Sequence, residues 1–458
     1  MDNGLMTALW QQLWTGLRRA STPLPEVKFT GTQRFSSAWP VTELASASIA
    51  LATQAAADLA GIPHQVEVNN RLASRWFQRS FIPLNRTVPD LWDPFSGDYE
   101  AGNGWLRLHT NLPHHRAAMA QVLGEHTSRA GVEKAVSVWD KTALEQAIVD
   151  AGGCAAEMRS LAQWQQHPQG VSVASEALIA QALQPEAPAP AWQLSPARPL
   201  IGVRVLDLTR IIAGPVATRF LAGLGAEVLR LDPPGWEEPS LEEELTLGKR
   251  CARLDLKSAA GRERFETLLA KADILVHGYR ADALSALGYD TEARQKLSPG
   301  LVDIALNAWG WSGPWRNRRG FDSLVQMACG IADLNRQWVH RSSPAPLPVQ
   351  ALDHATGYMM AAAALEGMRQ RRLHNTGFTA RLSLARTASL LTRFPCPDAP
   401  RTENLGSPQP YDESVETEIT PWGIGYRLHS PVWLPGTPVV WSRAASRLGA
   451  AEPCWMDK

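Results

Sequence analysis

The chain has 458 residues, enough for about two or three domains that each bury a core. Lysine plus arginine and aspartate plus glutamate both number 45, so the net charge is zero and no overall field attracts nucleic acid or anionic lipid. The five cysteines lie far apart without a C-x-x-C pair, which argues against zinc ribbons and disulfide frameworks. These features predict a cytoplasmic protein whose partners are small molecules or protein.

The N-terminal segment 1–20 is typical of an amphipathic helix rather than a secretory signal, because Asp2 precedes any basic residue and no continuous apolar region follows. The longest apolar segments, 44–62 and 358–368, are interrupted by charged residues and are too short or too alanine-rich to cross a bilayer. No membrane-spanning segment is expected.

A proline-rich stretch at 184–199 predicts an extended linker, since prolines deny the backbone a run of hydrogen-bond donors. It separates an N-terminal half, 1–183, with a partial repeat helix and a small α+β domain, from an α/β domain at 200–458. After the linker, apolar runs alternate with helical spacing, and the runs predict strands at 202–208, 226–232, 273–278 and 301–306. The alternation predicts a doubly wound parallel sheet.

Two alanine-rich helical segments, one from Thr42 and one from Leu352, share a small-residue pattern in which Glu43 stands where Asp353 stands. A short segment follows each helix after a comparable gap. The pattern indicates a partial internal duplication.

Asp353 opens an otherwise apolar helix. An aspartate there most often caps the helix by accepting backbone N–H bonds. The same donors and the helix dipole could instead hold it ionised as a nucleophile toward a carbonyl carbon. Position alone favours the cap.

Other candidate sites match their motifs poorly. The loop at 209–215 lacks the G-x-G-x-x-G glycines, so Gly214 in a βα turn and Asp232 at the next strand end are a weak dinucleotide signal. Metalloprotease, nucleophile-elbow and Walker motifs are absent from the sequence. Adjacent His114 and His115 point apart on any regular element and suit a surface better than a shared metal, so no metal site is predicted.

A basic run lies beside three tryptophans and allows two interpretations. Arginine forks and indole faces suit a nucleotide-like ligand, while a solvated loop anchored by its tryptophans is equally compatible. The residues concerned are Arg316, Arg318, Arg319, Trp309, Trp311 and Trp315.

Several motifs follow one another in the order of a known family: GVRVLDLTRIIAGPVATRFLAGLGAEVLRLD from Gly202, LGKRCARLDLKSAAGRE from Leu247, GYRADALSALG from Gly278 and LVDIALNAWGWSGPWRNRRGFDSLVQMACG from Leu301. Together with the segment around Asp353, they resemble the class III CoA-transferases. That family includes formyl-CoA transferase, carnitine CoA-transferase and the α-methylacyl-CoA racemases.

The resemblance implies an acyl-CoA:carboxylate CoA-transferase. Asp353 would attack an acyl-CoA thioester and become an aspartyl-CoA thioester, from which a small carboxylic acid takes the CoA. Coenzyme A then enters as a substrate without a permanently bound cofactor, and the family's interlocked dimers imply a homodimer. The residues that match the family's CoA-binding loop and its basic residue near the phosphates are Arg210, Ile211, Ile212, Ala213, Gly214 and Arg319.

The chain also departs from the family pattern. Phe321 stands where racemases carry a catalytic histidine, and phenylalanine cannot move a proton, so racemisation is disfavoured. The glycine-rich loop that covers the nucleophile in formyl-CoA transferases has no match. Segments 95–124 and 160–170 resemble the family's smaller domain, which usually follows the nucleophile, so a rearranged domain order is predicted. The alternatives are a racemase or isomerase of this family and a non-catalytic CoA-binding protein.

Overall fold

The computed structural model describes residues 3–18, 22–62, 65–190, 192–193, 195–279, 282–401 and 405–456. A seven-stranded sheet lies at the centre of the fold. Alternate residues of its strands enter two separate hydrophobic cores, as Val205 and Leu206 do, so both faces of the sheet are covered. No helix in the described ranges is long and apolar enough to cross a bilayer.

The N-terminal segment contributes three helices and three short strands. In chain order they are α1 (Asn3–Leu17), β1 (Val27–Thr30), α2 (Val41–Ala60), β2 (Val66–Asn69), α3 (Asn70–Gln78) and β3 (Phe81–Pro83). Strands β1 and β2 pair in parallel.

A small antiparallel module follows, with its own apolar core, and confirms the predicted mixture of strands and helices in this region. Its elements are β4 (Gly97–Ala101), β5 (Gly104–Leu108), α4 (Pro113–Leu123), α5 (Arg129–Val136), α6 (Lys141–Asp150), β6 (Ala155–Glu157), α7 (Leu161–Gln166) and α8 (Pro168–Ser175). Its sheet has the order β4-β5-β6.

The central sheet is built mostly from the second half of the chain. Its elements, with the helices between them, are β7 (Ala180–Glu186), β8 (Arg204–Leu208), α9 (Ala213–Gly223), β9 (Glu227–Asp232), α10 (Glu242–Leu245), β10 (Lys249–Arg253), α11 (Ala259–Leu269), β11 (Ile274–His277), α12 (Ala283–Ala286), α13 (Thr291–Leu297), β12 (Val302–Asn307), α14 (Asp322–Ala328), α15 (Ile331–Trp338), α16 (Ala351–His374), β13 (Thr376–Ser383) and α17 (Leu384–Leu391). The C-terminal strands are β14 (Glu413–Thr420), β15 (Gly423–Leu428) and β16 (Val432–Trp433). Strands β14 and β15 join β3 in a second sheet, and β16 pairs with β2.

The strand order of the central sheet is β10-β9-β8-β11-β12-β13-β7. All neighbours are parallel except β7, which pairs antiparallel with β13 at the edge, so the α/β prediction is confirmed for a mixed rather than a purely parallel sheet. The chain moves outward to one side of β8 through β9 and β10, then to the other side from β11. Because the crevice at such a switch point opens at the carboxyl ends of the strands, the loops after β8 and β11 are the expected ligand site.

The two halves of the chain share one core. Helix α16 packs against α2 and α9, and the same hydrophobic cluster contains residues of α1, α2 and the central sheet. Strand β7 extends into the first residues of the predicted linker, which also contains two of the undescribed positions. The division into domains therefore stays a prediction about folding units.

The two alanine-rich segments have the same element order. The series α2-β2-α3 corresponds to α16-β13-α17, and β2 lies parallel to β1 as β13 lies parallel to β12. Both Glu43 and Asp353 are the third residue of their helix. This correspondence is the geometry that the predicted duplication requires.

Candidate active site

Asp353 lies in the first turn of α16 and is 7% exposed. It lines two cavities. The sheet-edge cavity, about 350 Å³, lies at the carboxyl ends of β8, β11 and β12 and is lined by Arg210, Tyr279 and Arg319 among others. The His109 cavity, about 260 Å³, is lined on its other walls by His109 and Leu241. Its position places the Asp353 carboxyl where the two cavities meet.

A second carboxylate, Asp322, occupies the cap position that the sequence suggested for Asp353. The backbone N–H of Asp353 donates to Asp322 Oδ2 at 2.9 Å, and Gln326 donates to its other oxygen. Asp322 is the first residue of α14 and is buried. The helix-start donors that were expected to hold Asp353 ionised thus serve Asp322 instead.

The two carboxyl groups perturb each other. Burial raises the pKa of Asp322 to about 6, against the opposing effect of its hydrogen bonds. Burial and the neighbouring Asp322 carboxylate raise the pKa of Asp353 well above its ordinary value. The alternative in which the helix-start donors keep Asp353 ionised is therefore not what the structure shows, and the pair readily holds a proton.

Aromatic rings hold Arg210 in the sheet-edge cavity. Its guanidinium lies 4.5 Å from the centroid of Trp236 and 5.1 Å from that of Tyr279, and it donates to the Tyr279 hydroxyl at 3.2 Å. Arg319 also lines this cavity, is exposed, and donates to the Gly152 carbonyl at 3.2 Å. Together with Arg318, these arginines give the cavity a positive character suited to phosphate.

The loop after β8 reaches both cavities. Ile211 and Ala213 line the sheet-edge cavity, and Ile212 lines the His109 cavity. Ile211 has a φ of 67°, an uncommon conformation for a β-branched residue, and its N–H donates to Glu238 at 2.7 Å. The strained backbone is held by this hydrogen bond.

Gly214 has a different role from the predicted βα turn. Helix α9 begins at Ala213, so Gly214 and Pro215 lie in its first turn, where proline is tolerated. A Cβ at Gly214 would lie 2.3 Å from the Thr209 side chain. The glycine therefore permits close packing beneath the loop, and it does not line either cavity.

The tryptophan-arginine cluster is mostly an anchor. Trp309 is fully buried, and Arg318 lies 4.1 Å from the Trp315 ring centroid and donates to Glu145 at 2.7 Å. Of the three arginines in this run, Arg318 and Arg319 line the sheet-edge cavity. Of the two interpretations of the basic run, the loop anchored by its tryptophans describes this cluster. Arg319 is the exposed arginine of the cluster that lines the sheet-edge cavity.

Asp232 does not offer a free carboxylate to a ribose. It is buried and accepts two hydrogen bonds from Arg230, at 2.9 and 3.0 Å. The weak dinucleotide signal thus corresponds to a structural ion pair.

Histidines from the small module enter the site, which the sequence did not indicate. His109 follows β5 and stacks on Phe321 with ring centroids 3.8 Å apart. Burial lowers its pKa well below the ordinary value, so the ring is neutral at pH 7, and its Nδ1 has no hydrogen-bond partner among the described residues. The predicted surface location is wrong for His115, which is buried 3.5 Å from Cys154 Sγ with a pKa of about 3.

Residues 200–421 match the sequence profile of CoA-transferase family III. Acetyl-coenzyme A transferase nodX of Hypoxylon pulicicidum is 34% identical over 182 residues, which cover 39% of this chain and 31% of the relative. Succinyl-CoA:glutarate CoA-transferase of Mus musculus is 31% identical over 187 residues, 38% of this chain and 42% of the relative. The chain thus spans less than half the length of these two curated relatives.

Among solved structures, Rv3272 of M. tuberculosis is 26% identical over 43% of this chain and 58% of its own, with a TM-score of 0.39. The profile covers the strands, the Arg210 loop and the Asp353 helix that form the two cavities. Residues 200–421 are therefore similar to CoA-transferase family III over the part of the chain that builds the two cavities.

Proposed function

We propose that the chain is an acyl-CoA:carboxylate CoA-transferase with Asp353 as its nucleophile. The observation that carries the proposal is the position of Asp353 between a cavity lined by three arginines and a second cavity. Coenzyme A fits the first cavity by charge, with Arg210 and Arg319 near its phosphates. The acyl group and the acceptor acid then occupy the second.

The reaction runs through two acyl exchanges at one carboxyl group. The Asp353 carboxylate attacks the thioester carbonyl, the CoA thiolate leaves, and a mixed anhydride forms. The thiolate then attacks the aspartyl carbonyl and releases the first acid, which leaves an aspartyl-CoA thioester. The acceptor carboxylate attacks this thioester and expels the CoA thiolate, which leaves a second mixed anhydride. The thiolate then attacks the acceptor's carbonyl carbon, takes the acceptor acyl group and frees the Asp353 carboxylate.

Proton removal is a condition of the first attack, because only the ionised carboxyl is a nucleophile. The raised pKa of Asp353 makes the ionised form more basic and therefore more nucleophilic once it is formed. Asp322 fixes the geometry by accepting the N–H of Asp353 itself. The site thus combines a basic nucleophile with a hydrogen bond that fixes the backbone of Asp353.

Trapping of the covalent intermediate tests the proposal. Incubation with an acyl-CoA and hydroxylamine should convert Asp353 to its hydroxamate, detected by peptide mass spectrometry. Glu43→Gln is the matched control, since Glu43 holds the same helix position and pairs with Arg34 at 2.8 Å. An unmodified Asp353, with transfer surviving in Asp353→Ala, would contradict the mechanism.

One observation favours a second candidate, an acyl-CoA racemase or isomerase. His109 stacks on Phe321, so an imidazole lies beside the ring that replaces the racemase histidine. This activity predicts solvent deuterium at the α-carbon of a recovered acyl-CoA. If the wild-type protein transfers CoA and incorporates no deuterium, the racemase or isomerase activity is excluded. If it binds CoA and catalyses neither reaction, the protein is a non-catalytic CoA-binding protein.

We also propose that the chain forms a homodimer. Light scattering of the full chain, with and without CoA, measures its mass in solution. A monomeric mass under both conditions would contradict the dimer and leave the transferase proposal intact.

A further inference from the structure

A further cavity, of about 260 Å³, lies at the opposite end of the central sheet from Asp353. Its wall contains Arg204, the first residue of β8, and Asp273, which directly precedes β11. These positions are the amino ends of two parallel strands. Arg371 also lines the cavity and lies in the last turn of α16, whereas Asp353 lies in its first turn. We call this space the Arg371 cavity.

The Arg371 guanidinium is buried in this wall with donors that have no acceptor. The residue is 9% exposed, and its Nε and Nη1 have no hydrogen-bond partner in the described part of the chain. Gly300 leaves the space that the guanidinium fills, since its φ is 84° and a Cβ there would overlap Nη1. Burial of polar N–H groups without acceptors costs free energy. An acceptor that entered the cavity would remove this cost.

The dipole of α16 explains the cation at this helix end only in part. A positive charge is favourable in the last turn of a helix, where Arg371 lies. A dipole does not supply acceptor atoms to individual N–H groups, and the Arg371 carbonyl already accepts from the Asn375 N–H at 2.9 Å. Burial lowers the pKa of the Arg371 guanidinium, and the Asp273 charge offsets this effect only in part. The guanidinium therefore lacks a full counter-charge.

The charges in the wall favour an anion. The described lining residues include one carboxylate, Asp273, and three cations, which are Arg204, Lys271 and Arg371. The two Asp273 oxygens already accept hydrogen bonds, from the Arg204 N–H at 2.9 Å and from Trp192 Nε1 at 3.0 Å. Arg204 forms an ion pair with the first residue of β9 at 3.5 Å, whereas Lys271 is exposed. Arg371 and Lys271 are therefore the cations best placed to bind an anion.

The rest of the wall is largely apolar, and most of it comes from the predicted linker. Its residues are Pro188, Ala189, Pro190, Trp192, Gly202 and Pro299. The linker is attached to this end of the sheet, since the Ala187 N–H donates to the Asn375 carbonyl at 2.7 Å. The volume of the cavity lies below the roughly 300 Å³ at which pockets for larger ligands begin. The space therefore suits a small anion.

We propose that the Arg371 cavity binds a small oxyanion, a phosphate or a carboxylate group, through the Arg371 guanidinium and the Lys271 ammonium. The N–H groups of a guanidinium match two oxygens of either group. Because the wall joins the linker to the sheet, the bound anion stabilises the contact between them. The inference does not depend on the transferase function, since the described residues that line this cavity are absent from both active-site cavities.

Titration calorimetry of the full chain with inorganic phosphate, and separately with acetate, tests the site at constant ionic strength. The reference protein carries Arg210→Gln and Arg319→Gln, because the sheet-edge cavity also suits phosphate. Adding Arg371→Gln should weaken binding of at least one anion by about ten- to a hundredfold. Adding Arg372→Gln is the matched control and should stay within about twofold, since Arg372 is exposed and is not among the described lining residues. The anion that binds more tightly identifies the preferred group.

A second variant tests the site without altering a buried residue. Lys271→Glu reverses an exposed charge and should weaken anion binding in the reference protein by about fivefold or more. Lys257→Glu makes the same change at an exposed lysine outside the described wall of the cavity and should have no such effect. The inference is overturned if the reference protein binds neither anion, or if Arg371→Gln leaves the affinity unchanged. If Arg371→Gln does not fold, an unchanged affinity in Lys271→Glu overturns it.

Discussion

Two helices with the same position in a repeated unit have opposite surroundings at their first turn. In α2, Glu43 is buried and pairs with Arg34 at 2.8 Å. In α16, Asp353 is equally buried but faces Asp322, another carboxylate, and lines two cavities. A neighbouring cation stabilises the ionised form of a carboxyl group, whereas a neighbouring carboxylate destabilises it.

The comparison teaches that position on a helix does not decide whether a carboxylate is structural or reactive. Both residues have the same distance from the helix start and the same access to its dipole. The difference lies in what other elements bring to that point: Arg34 to one helix, and the start of α14 to the other. Reactivity is therefore a tertiary property, and each side of the comparison can be altered by one substitution.

The largest effect is expected from removal of the nucleophile. Asp353→Asn should lower the rate of CoA transfer by about a thousandfold or more, because the amide cannot form the aspartyl-CoA thioester. The measurement is exchange of labelled carboxylate into thioester. Glu43→Gln should stay within about threefold of wild type, and equal losses in both variants would show that the two helices do not differ in function.

The next effect concerns the like-charge neighbour. Asp322→Asn should move the acid limb of the pH–kcat profile to lower pH, because loss of the Asp322 charge lowers the pKa of Asp353 and extends its ionised range. The rate at neutral pH should fall, because Asp353 becomes a less basic nucleophile. The fall should be limited to roughly tenfold, because the amide oxygen can still accept the hydrogen bond from the Asp353 N–H. The control is Asp333→Asn, whose carboxylate pairs with Arg336 on α15. An unchanged acid limb in Asp322→Asn would contradict the coupling.

The sheet and the position of Asp353 at the start of a helix could be predicted, because both depend on patterns within short stretches of sequence. Buried parallel strands are short apolar runs, and 226–232 and 301–306 were recognisable as such. The loop after β8 follows from the same alternation. Gly214 was misassigned because a glycine and a proline are compatible with a turn and equally with the first turn of a helix.

The remaining site residues could not be predicted, because distant segments supply them. His109 and Trp92 line the His109 cavity and come from chain segments that precede the linker. Nothing in the local pattern of these residues differs from that of an ordinary core or surface position. Their proximity to Asp353 follows from the docking of the N-terminal half on the central sheet.

A smaller effect on stability should accompany the loss of activity. The pKa of Asp353 is raised in the folded state, so its ionised form opposes folding, and this cost appears as pH rises through the folded-state pKa. Asp353→Asn should therefore raise Tm at neutral and higher pH, on the order of a few degrees. Below the ordinary aspartate range the difference should vanish, since both states are protonated. Calorimetric melting of wild type and Asp353→Asn from pH 3 to 8 measures this difference in Tm. A lower Tm for the variant at neutral pH would contradict the destabilisation of the fold by the ionised Asp353.

The smallest effect tests the other helix. Arg34→Gln leaves the buried Glu43 carboxylate without this partner and should lower the free energy of unfolding by about 1–3 kcal/mol. Adding Glu43→Gln should recover most of the loss, because the neutral amide has no charge to solvate. Urea unfolding of the single and double variants gives the coupling energy of the pair. CoA transfer should stay within about threefold in all three variants, and a loss of transfer comparable to that of Asp353→Asn would place Glu43 in the reaction and end its contrast with Asp353.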